Sequence, residues 1–415
     1  MTGPIEVHVE IDGRTRRAGT LHSHRRRSTE SATFVYDDAY LGEPGSYALD
    51  PGLPLTGGQH QTRVGQALFG AFSDSAPDRW GRTLIHRAEQ RKARADGVAT
   101  RSLGEVDYLV GVRDDLRQGA LRFRSVENGP FLAEDDVGVP AVTQLPDLLE
   151  LAARAEADTA SYDELRRLVR AGSSLGGARP KAHVAGTDGR VAIAKFPSAS
   201  TDSWNVMAWE KVAHDLARAA GVVVPDSELI RIDGRSVHII DRFDRLGEER
   251  IGYTSAMTML EAADGDQRSY LEIASAIEER SPATTRDLHQ LWRRIAFFVL
   301  ISNTDDHLRN HAFLHVRADA WTLSPAFDLN PNPDSRPKDL TTAIDATDTA
   351  ATIANVRGVA EYFRLGSAQA QAVLTEVAEA VRGWRTTARE HGLSDREIDD
   401  MAPAFDHAEA AAALE

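Results

Sequence analysis

The chain has no cysteine in its 415 residues. That absence excludes a disulfide framework, a thiolate nucleophile and the usual structural zinc sites, and it fits a reducing cytosol. Long apolar runs are missing too. The longest, Ile295 to Ile301, is far short of the roughly 20 residues a membrane helix requires. The opening Met1-Thr-Gly-Pro-Ile-Glu carries no apolar signal core. There is no excess of positive charge either: 48 Lys plus Arg stand against 63 Asp plus Glu, a net charge of −15. This argues against a broad nucleic-acid-binding face and serves solubility. No internal repeat and no long low-complexity linker is visible. The expectation is a cytoplasmic, globular chain with no membrane association.

The pattern along the chain predicts an α/β (α+β) protein in three parts, with enough length to bury a sizeable interior. Residues 1–130 mix alternating stretches such as Ile5-Glu-Val-His-Val-Glu-Ile11 with turn clusters such as Leu41-Gly-Glu-Pro-Gly and read as β-rich. The basic run Arg25-Arg26-Arg27 reads as a solvated hairpin tip. Residues 131–245 hold leucines at helical spacing (Leu148, Leu149, Leu151, Leu165, Leu168), then a glycine-rich break from Ala171 to Lys181. A strand with Val191, Ile193 and Lys195 on one face follows, then a helix from Asn205 to Ala220 and a strand from Ser236 to Phe243. Residues 246–415 read as helical, with Leu288 to Ile301 apolar on nearly every side. Ser394-Asp-Arg-Glu397 has capping-box spacing, and the Asp334-Ser-Arg-Pro-Lys segment is expected to be mobile.

The most informative stretch is Asn303-Thr-Asp-Asp-His-Leu-Arg-Asn310, followed by Ala326-Phe-Asp-Leu-Asn-Pro331. In phosphoryl-transfer enzymes of the protein-kinase kind a catalytic Asp lies five positions before a metal-binding Asn, with a second metal-binding Asp on a later segment. Asp305, Asn310 and Asp328 have that arrangement. Asn310 and Asp328 offer the hard oxygens that suit Mg²⁺. Asp306 competes with Asp305, but its partner five residues on is His311, a poor magnesium ligand. The plain alternative is that these polar groups cap the preceding helix. A zinc site at His307 and His311 lacks both the Glu of the zincin spacing and a third ligand, so a histidine that orders the loop is expected instead. Lys195 on a strand, with Glu210 on the next helix as a supporting ion pair, matches a phosphate-contacting lysine and its carboxylate. The segment Gly172 to Lys181 offers backbone N–H groups for phosphate, but it lacks the Lys-Ser/Thr of a Walker A loop. A flexible turn is its alternative reading.

Five motifs in order, Ser174-Leu-Gly-Gly-Ala-Arg-Pro-Lys-Ala182, Ala194-Lys-Phe-Pro197, Asp241-Arg-Phe-Asp244, Asn303 to Asn310 and Ser324 to Pro331, resemble the HipA family of serine/threonine kinase toxins. Phe34-Val-Tyr36, Tyr40-Leu41, Tyr47-Ala-Leu49 and Leu53-Pro-Leu55 resemble its first subdomain. The resemblance implies a kinase-like two-lobe fold: a β-rich N-terminal subdomain (1–130), a nucleotide-binding N-lobe (131–245) and an all-helical C-terminal lobe with the catalytic and metal-binding loops (246–415). It implies Asp305 as catalytic base, Asn310 and Asp328 as Mg²⁺ ligands, and Lys195 as an ATP contact. Gly176, Gly177, Ala178, Arg179 and Lys181 match the nucleotide loop, Asp241 and Phe243 the adenine strand, and Ser174 the autophosphorylation site. His307 is grouped with the nucleotide contacts. Leu329 stands beside the metal Asp with no glycine after it, which separates the chain from ordinary protein kinases.

The implied function is Mg²⁺-ATP-dependent phosphorylation of a cytosolic protein, an aminoacyl-tRNA synthetase or another translation factor, and of the chain itself. Growth arrest and persistence are the implied outcomes. The implied partner is a small helix-turn-helix antitoxin resembling HipB, with DNA reached only through it. The alternatives are a small-molecule phosphotransferase of related fold and a catalytically idle corepressor.

Overall fold

A computed structural model describes residues 3–26, 29–125, 129–133, 138–172, 177–186, 189–334, 336 and 338–415. The chain forms two compact units. The first comprises Met1–Thr201, Asp241–Glu261 and Leu314–Asp319, and the second Asp202–Ile240, Ala262–Phe313 and Ala320–Glu415. Both mix helices with antiparallel strands, the α+β class that the sequence predicts.

In the first unit, strands β1 (Ile5–Ile11), β2 (Arg14–Arg26), β3 (Thr29–Tyr36), β4 (Gln59–Gln61) and β5 (Leu121–Arg124) form a sheet in the order β4-β3-β2-β1-β5. The alternation in β1 buries Ile5, Val7, Val9 and Ile11, as a half-buried strand requires. Asp12-Gly13 joins β1 to β2, with Ile11 opposite Arg14. Both turn residues have positive φ, 50° and 69°, the two-residue hairpin whose twist suits the strands. Arg25 at the far end of β2 donates to Ser102 and pairs with Glu30, so it has structural partners; Arg27 lies outside the described residues.

Helix α1 (Arg79–Ala95) and helix α2 (Tyr162–Arg170) also belong to this unit. Ser161 and Glu164 close a reciprocal capping box at the start of α2. Just beyond α2, Gly172 has φ 105° and leaves no room for a side chain, because an added Cβ would lie 1.8 Å from His183 Nδ1. His183 lies on β6 (Lys181–Ala185), which pairs antiparallel with β7 (Val191–Lys195).

The second unit is mainly helical. Helix α3 (Val206–Ala219) starts at Asn205, whose side chain accepts from Ala208 N, and stops before Gly221 at φ 74°. The residues expected inward, Val206, Trp209, Val212 and Leu216, are buried, but so are Met207, Glu210, Lys211 and His214. α3 is thus buried on more than one face. Trp209 lies near Trp384 and Phe405, which stack at 4.6 Å. Strands β8 (Ser227–Ile232) and β9 (Arg235–Asp241) repeat the Asp-Gly device at Asp233-Gly234. Helix α4 (Thr284–Leu300) buries Leu288, Leu291, Trp292, Ile295 and every residue from Ala296 to Leu300. Beyond it come short strands Ala312–Arg317, whose residues from Leu314 on belong to the first unit, and Ala320–Leu323, where Ser324 N donates to Ala312 O; the described residues from 324 to 352 hold no helix, and helices resume at Ile353. These strands are too short for a period-2 pattern to stand out in the sequence. Ser394 and Glu397 form the expected capping box. Among the described residues no helix is long and apolar enough to cross a membrane.

Candidate active site

The acidic loop begins where α4 ends. Ser302 N donates to Val299 O and Asn303 N to Phe298 O, and Ser302 has φ 54°. This is a Schellman closure with serine in the left-handed position where glycine is usual. The main chain therefore closes the helix, and the side chains of Asn303 to Asp306 are not used as caps. A non-glycine residue held there costs of order 1 kcal/mol and marks a segment fixed by its surroundings.

Asp305 and Asp306 are adjacent and differently employed. Asp306 is 1% exposed; its Oδ2 accepts from the Tyr270 hydroxyl at 2.5 Å and lies 2.6 Å from His311 Nε2. Burial first, and then the Asp306 charge, push the Tyr270 hydroxyl well above its ordinary range. Asp306 is thus an internal anchor, and His311 is the histidine that orders the loop. His307 is half-buried; its carbonyl accepts from Asn310 N. Asp305 is exposed. Its main-chain oxygen accepts from Asn310 Nδ2 at 3.1 Å, which ties the two ends of the five-residue spacing together.

Asp328 is half-buried and has φ 61°, again a left-handed non-glycine residue. Its segment is stitched to the acidic loop twice: Asn330 N donates to Asn303 Oδ1 at 3.3 Å, and Asn332 Nδ2 donates to Thr304 Oγ1 at 2.9 Å. Asp305, Asn310 and Asp328 therefore belong to two interlocked loops of one unit. Further on, Lys338 donates to the carbonyls of Asn332 and Asp334, and Arg336 pairs with Asp334; the segment expected to be mobile is cross-linked where it is described. Glu210, in the same unit, is 1% exposed and lies 3.4 Å from His238 Nδ1, so it is no surface carboxylate. His238 packs edge-on to His214 at 5.7 Å, and Ser227 Oγ lies 3.1 Å from His214 Nδ1. Burial first, then the charge of His238, hold the His214 imidazole down at about 3.

The other predicted residues fall in the first unit. Lys181 and Lys195 are direct cross-strand partners in the β6–β7 hairpin, so both side chains stand on one face. Lys195 is half-buried on the same face as Val191 and Ile193, while Ala192 and Ala194 are buried on the other. Lys181 Nζ donates to Asp78 Oδ2 at 2.5 Å, with both side chains 4% exposed. Gly177 has φ 111°, and a Cβ there would lie 3.2 Å from Lys181 Nζ. Gly177 and Ala178 are exposed and Arg179 is half-buried. Ser174, with Ser173 and Gly176, lies outside the described residues.

Asp241 pairs with Arg190 at 2.9 Å, and Phe243 stacks on Tyr253. Between and after them the sequence hid a buried ionic lattice. Arg242 holds Asp244 with two hydrogen bonds and donates to the carbonyls of Leu116 and Arg117. Arg117, 0% exposed, grips the carbonyls of Ser75, Leu109 and Val112. Gly119 N and Arg245 also bond Asp244. Burial raises the Asp244 carboxyl, but Arg242, Arg245 and these hydrogen bonds outweigh it and hold it far below the usual range. Half of the Asp241-Arg-Phe-Asp244 motif is therefore architectural. Sequence reading also missed Asp78, Tyr270 and His238. An N-cap signal at Asp78 was available; its meeting with Lys181, 103 residues on, was not.

These paired lysines and interlocked acidic loops sit on a fold of known type. The structure resembles HipA of Shewanella oneidensis MR-1, solved with HipB and its operator DNA, at TM-score 0.64 and 15% identity over 99% of this chain and 96% of that one. It also aligns with the Helicobacter pylori proinflammatory kinase CtkA at TM-score 0.43 and 14% identity, over 58% of this chain and 92% of that one. A Haemophilus influenzae protein whose name proposes a kinase is 27% identical over 129 residues, 28% of this chain. The match spans 38% of that relative's length. Residues 9–103 match the HipA N-terminal domain and residues 173–384 the HipA-like C-terminal domain. The chain belongs to the HipA family.

Proposed function

We propose that this chain is a Mg²⁺-ATP-dependent serine/threonine protein kinase and the toxin of a toxin–antitoxin pair. The observation that carries the reading is the contrast between Asp305 and Asp306: one acidic neighbour is locked inside and the other is exposed at the loop surface. Asp305 orients the attacking hydroxyl and accepts its proton. Lys195 and Lys181 meet phosphate oxygens, with Gly177 to Arg179 supplying backbone N–H groups and positive charge. Asp241 and Phe243 contact the adenine side, and His307 is assigned to the same nucleotide. We assign nucleotide binding to residues 131–245 and the catalytic and metal-binding loops to residues 246–415.

The donor set fits magnesium: Asn310 and Asp328 carry hard oxygens on interlocked loops. Among the described residues no group of three or more His, Asp or Glu is gathered as a metal cage. Bound Mg²⁺ would therefore complete its shell from phosphate and water, and its chemistry is to neutralise charge on the phosphates.

The partner is a small HipB-like antitoxin, with DNA reached through it, a reading supported by the company in which the Shewanella protein was solved. The substrate is a cytosolic protein of translation. Ser174 is the self-modification site, where a phosphate would bring roughly −1.5 to −2 charges to a segment beside the nucleotide loop and switch the enzyme off. The test is phosphoproteomics after brief induction, comparing the parent with Asp328→Ala. A phosphosite on a translation protein present only with the parent is expected, together with phosphate at residue 174 of the purified chain. Identical phosphoproteomes overturn the reading.

A further inference from the structure

The β-rich N-terminal part contributes a carboxylate to the candidate nucleotide loop. Asp78 is the N-cap of α1, and its Oδ1 accepts from Gly81 N at 2.7 Å. That cap uses one oxygen. The other receives Lys181 Nζ at 2.5 Å, in a pair whose side chains are each 4% exposed. A cap needs only an oxygen acceptor, which Asn supplies as well as Asp. The buried charge on Oδ2 therefore answers to the lysine and not to the helix.

Lys181 is the first residue of β6 and directly follows the segment Gly177 to Pro180. Its ammonium stands beside Gly177, 3.2 Å from where a Cβ on that glycine would be. A lysine stem is flexible and carries about 2 kcal/mol of rotamer entropy. Anchoring its head removes that freedom before any ligand arrives, and an ammonium with three donors can serve a carboxylate and a phosphate together.

We infer that Asp78 is a positioning residue for nucleotide binding: it fixes the Lys181 ammonium beneath Gly177, so the N-terminal part of the chain completes the phosphate site. The inference rests on the reading of Gly177 to Lys181 as a nucleotide loop. It makes α1 a support of that loop.

The test measures binding of a fluorescent ATP analogue with Mg²⁺ to the full chain and its variants. Asp78→Asn is expected to weaken binding about tenfold, the worth of one charge-assisted hydrogen bond. In a Lys181→Gln background, Asp78→Asn is expected to cause no further loss, because Asp78 acts only through Lys181. Removing one partner leaves a buried charge unpaired, so Asp78→Asn alone is expected to lower the Tm. The neutral pair Asp78→Asn/Lys181→Gln should restore the Tm and bind as weakly as Lys181→Gln alone, whereas a structural role of Asp78 independent of Lys181 would weaken binding further. Undiminished binding by Asp78→Asn, or losses that multiply in the double variant, overturn the inference while leaving the kinase reading intact. Failure of the parent chain to bind the analogue overturns both.

Discussion

Side chains of the same type do different work here according to what surrounds them. Asp305 and Asp306 are sequence neighbours, yet Asp306 is enclosed with Tyr270 and His311 while Asp305 is exposed. Asp306→Asn replaces a charged acceptor by an amide and leaves a buried donor poorly matched, at a cost of about 1–3 kcal/mol. Asp305 is exposed, and Asp305→Asn, a substitution at an exposed position, should change stability by about 0.5 kcal/mol at most. Its phosphotransfer rate should instead fall by about 10²–10⁴-fold. Calorimetry beside a radiolabelled phosphotransfer assay checks both; a stability loss in Asp305→Asn equal to that of Asp306→Asn would contradict the assignment. The sequence offered the five-residue spacing that favoured Asp305. It offered no sign of Tyr270, because a hydrogen bond across 36 residues leaves no local pattern.

At the scale of elements, α3 and β8 are joined by His214 and Ser227, and the joint is sensitive to pH. The His214 imidazole is held near 3 in the folded chain and returns to about 6.5 when unfolded. Between those values the unfolded state binds the extra proton, so this contribution is fully present above pH 6.5 and is lost as pH falls toward 3. From pH 7.5 to pH 5 the loss should be about 2 kcal/mol. Urea unfolding at both pH values should show that drop in the parent and a flatter response in His214→Gln; equal slopes would rule out His214 as the source. Much of this level was legible beforehand. Strand β1 declared itself by alternation, α3 by Asn205 and Gly221 at its ends, and α4 by apolar residues on every side. The breadth of α3's burial was not, since nothing in the helical pattern marks the polar Glu210, Lys211 and His214 as enclosed.

Over the whole molecule, the hardest feature to foresee is the Arg117–Arg242–Asp244 lattice. Arginines and aspartates in a chain of net charge −15 read as surface, and only tertiary structure brings the carbonyls of Ser75, Leu109, Val112 and Leu116 to them. The first unit is also assembled from chain segments far apart in sequence, with Asp241–Glu261 returning to the part that ends at Thr201. A fragment spanning residues 173–415 should therefore be insoluble or proteolytically labile although it contains every predicted catalytic side chain. Soluble expression and limited trypsin digestion beside the full chain decide this; a protease-resistant fragment would refute it. The glycine-rich border that invites truncation is thus no natural seam. Severing the gene there would strip Arg242 and Arg245 of the Leu116 and Arg117 carbonyls they hold, turning an enclosed ionic joint into a wetted stump.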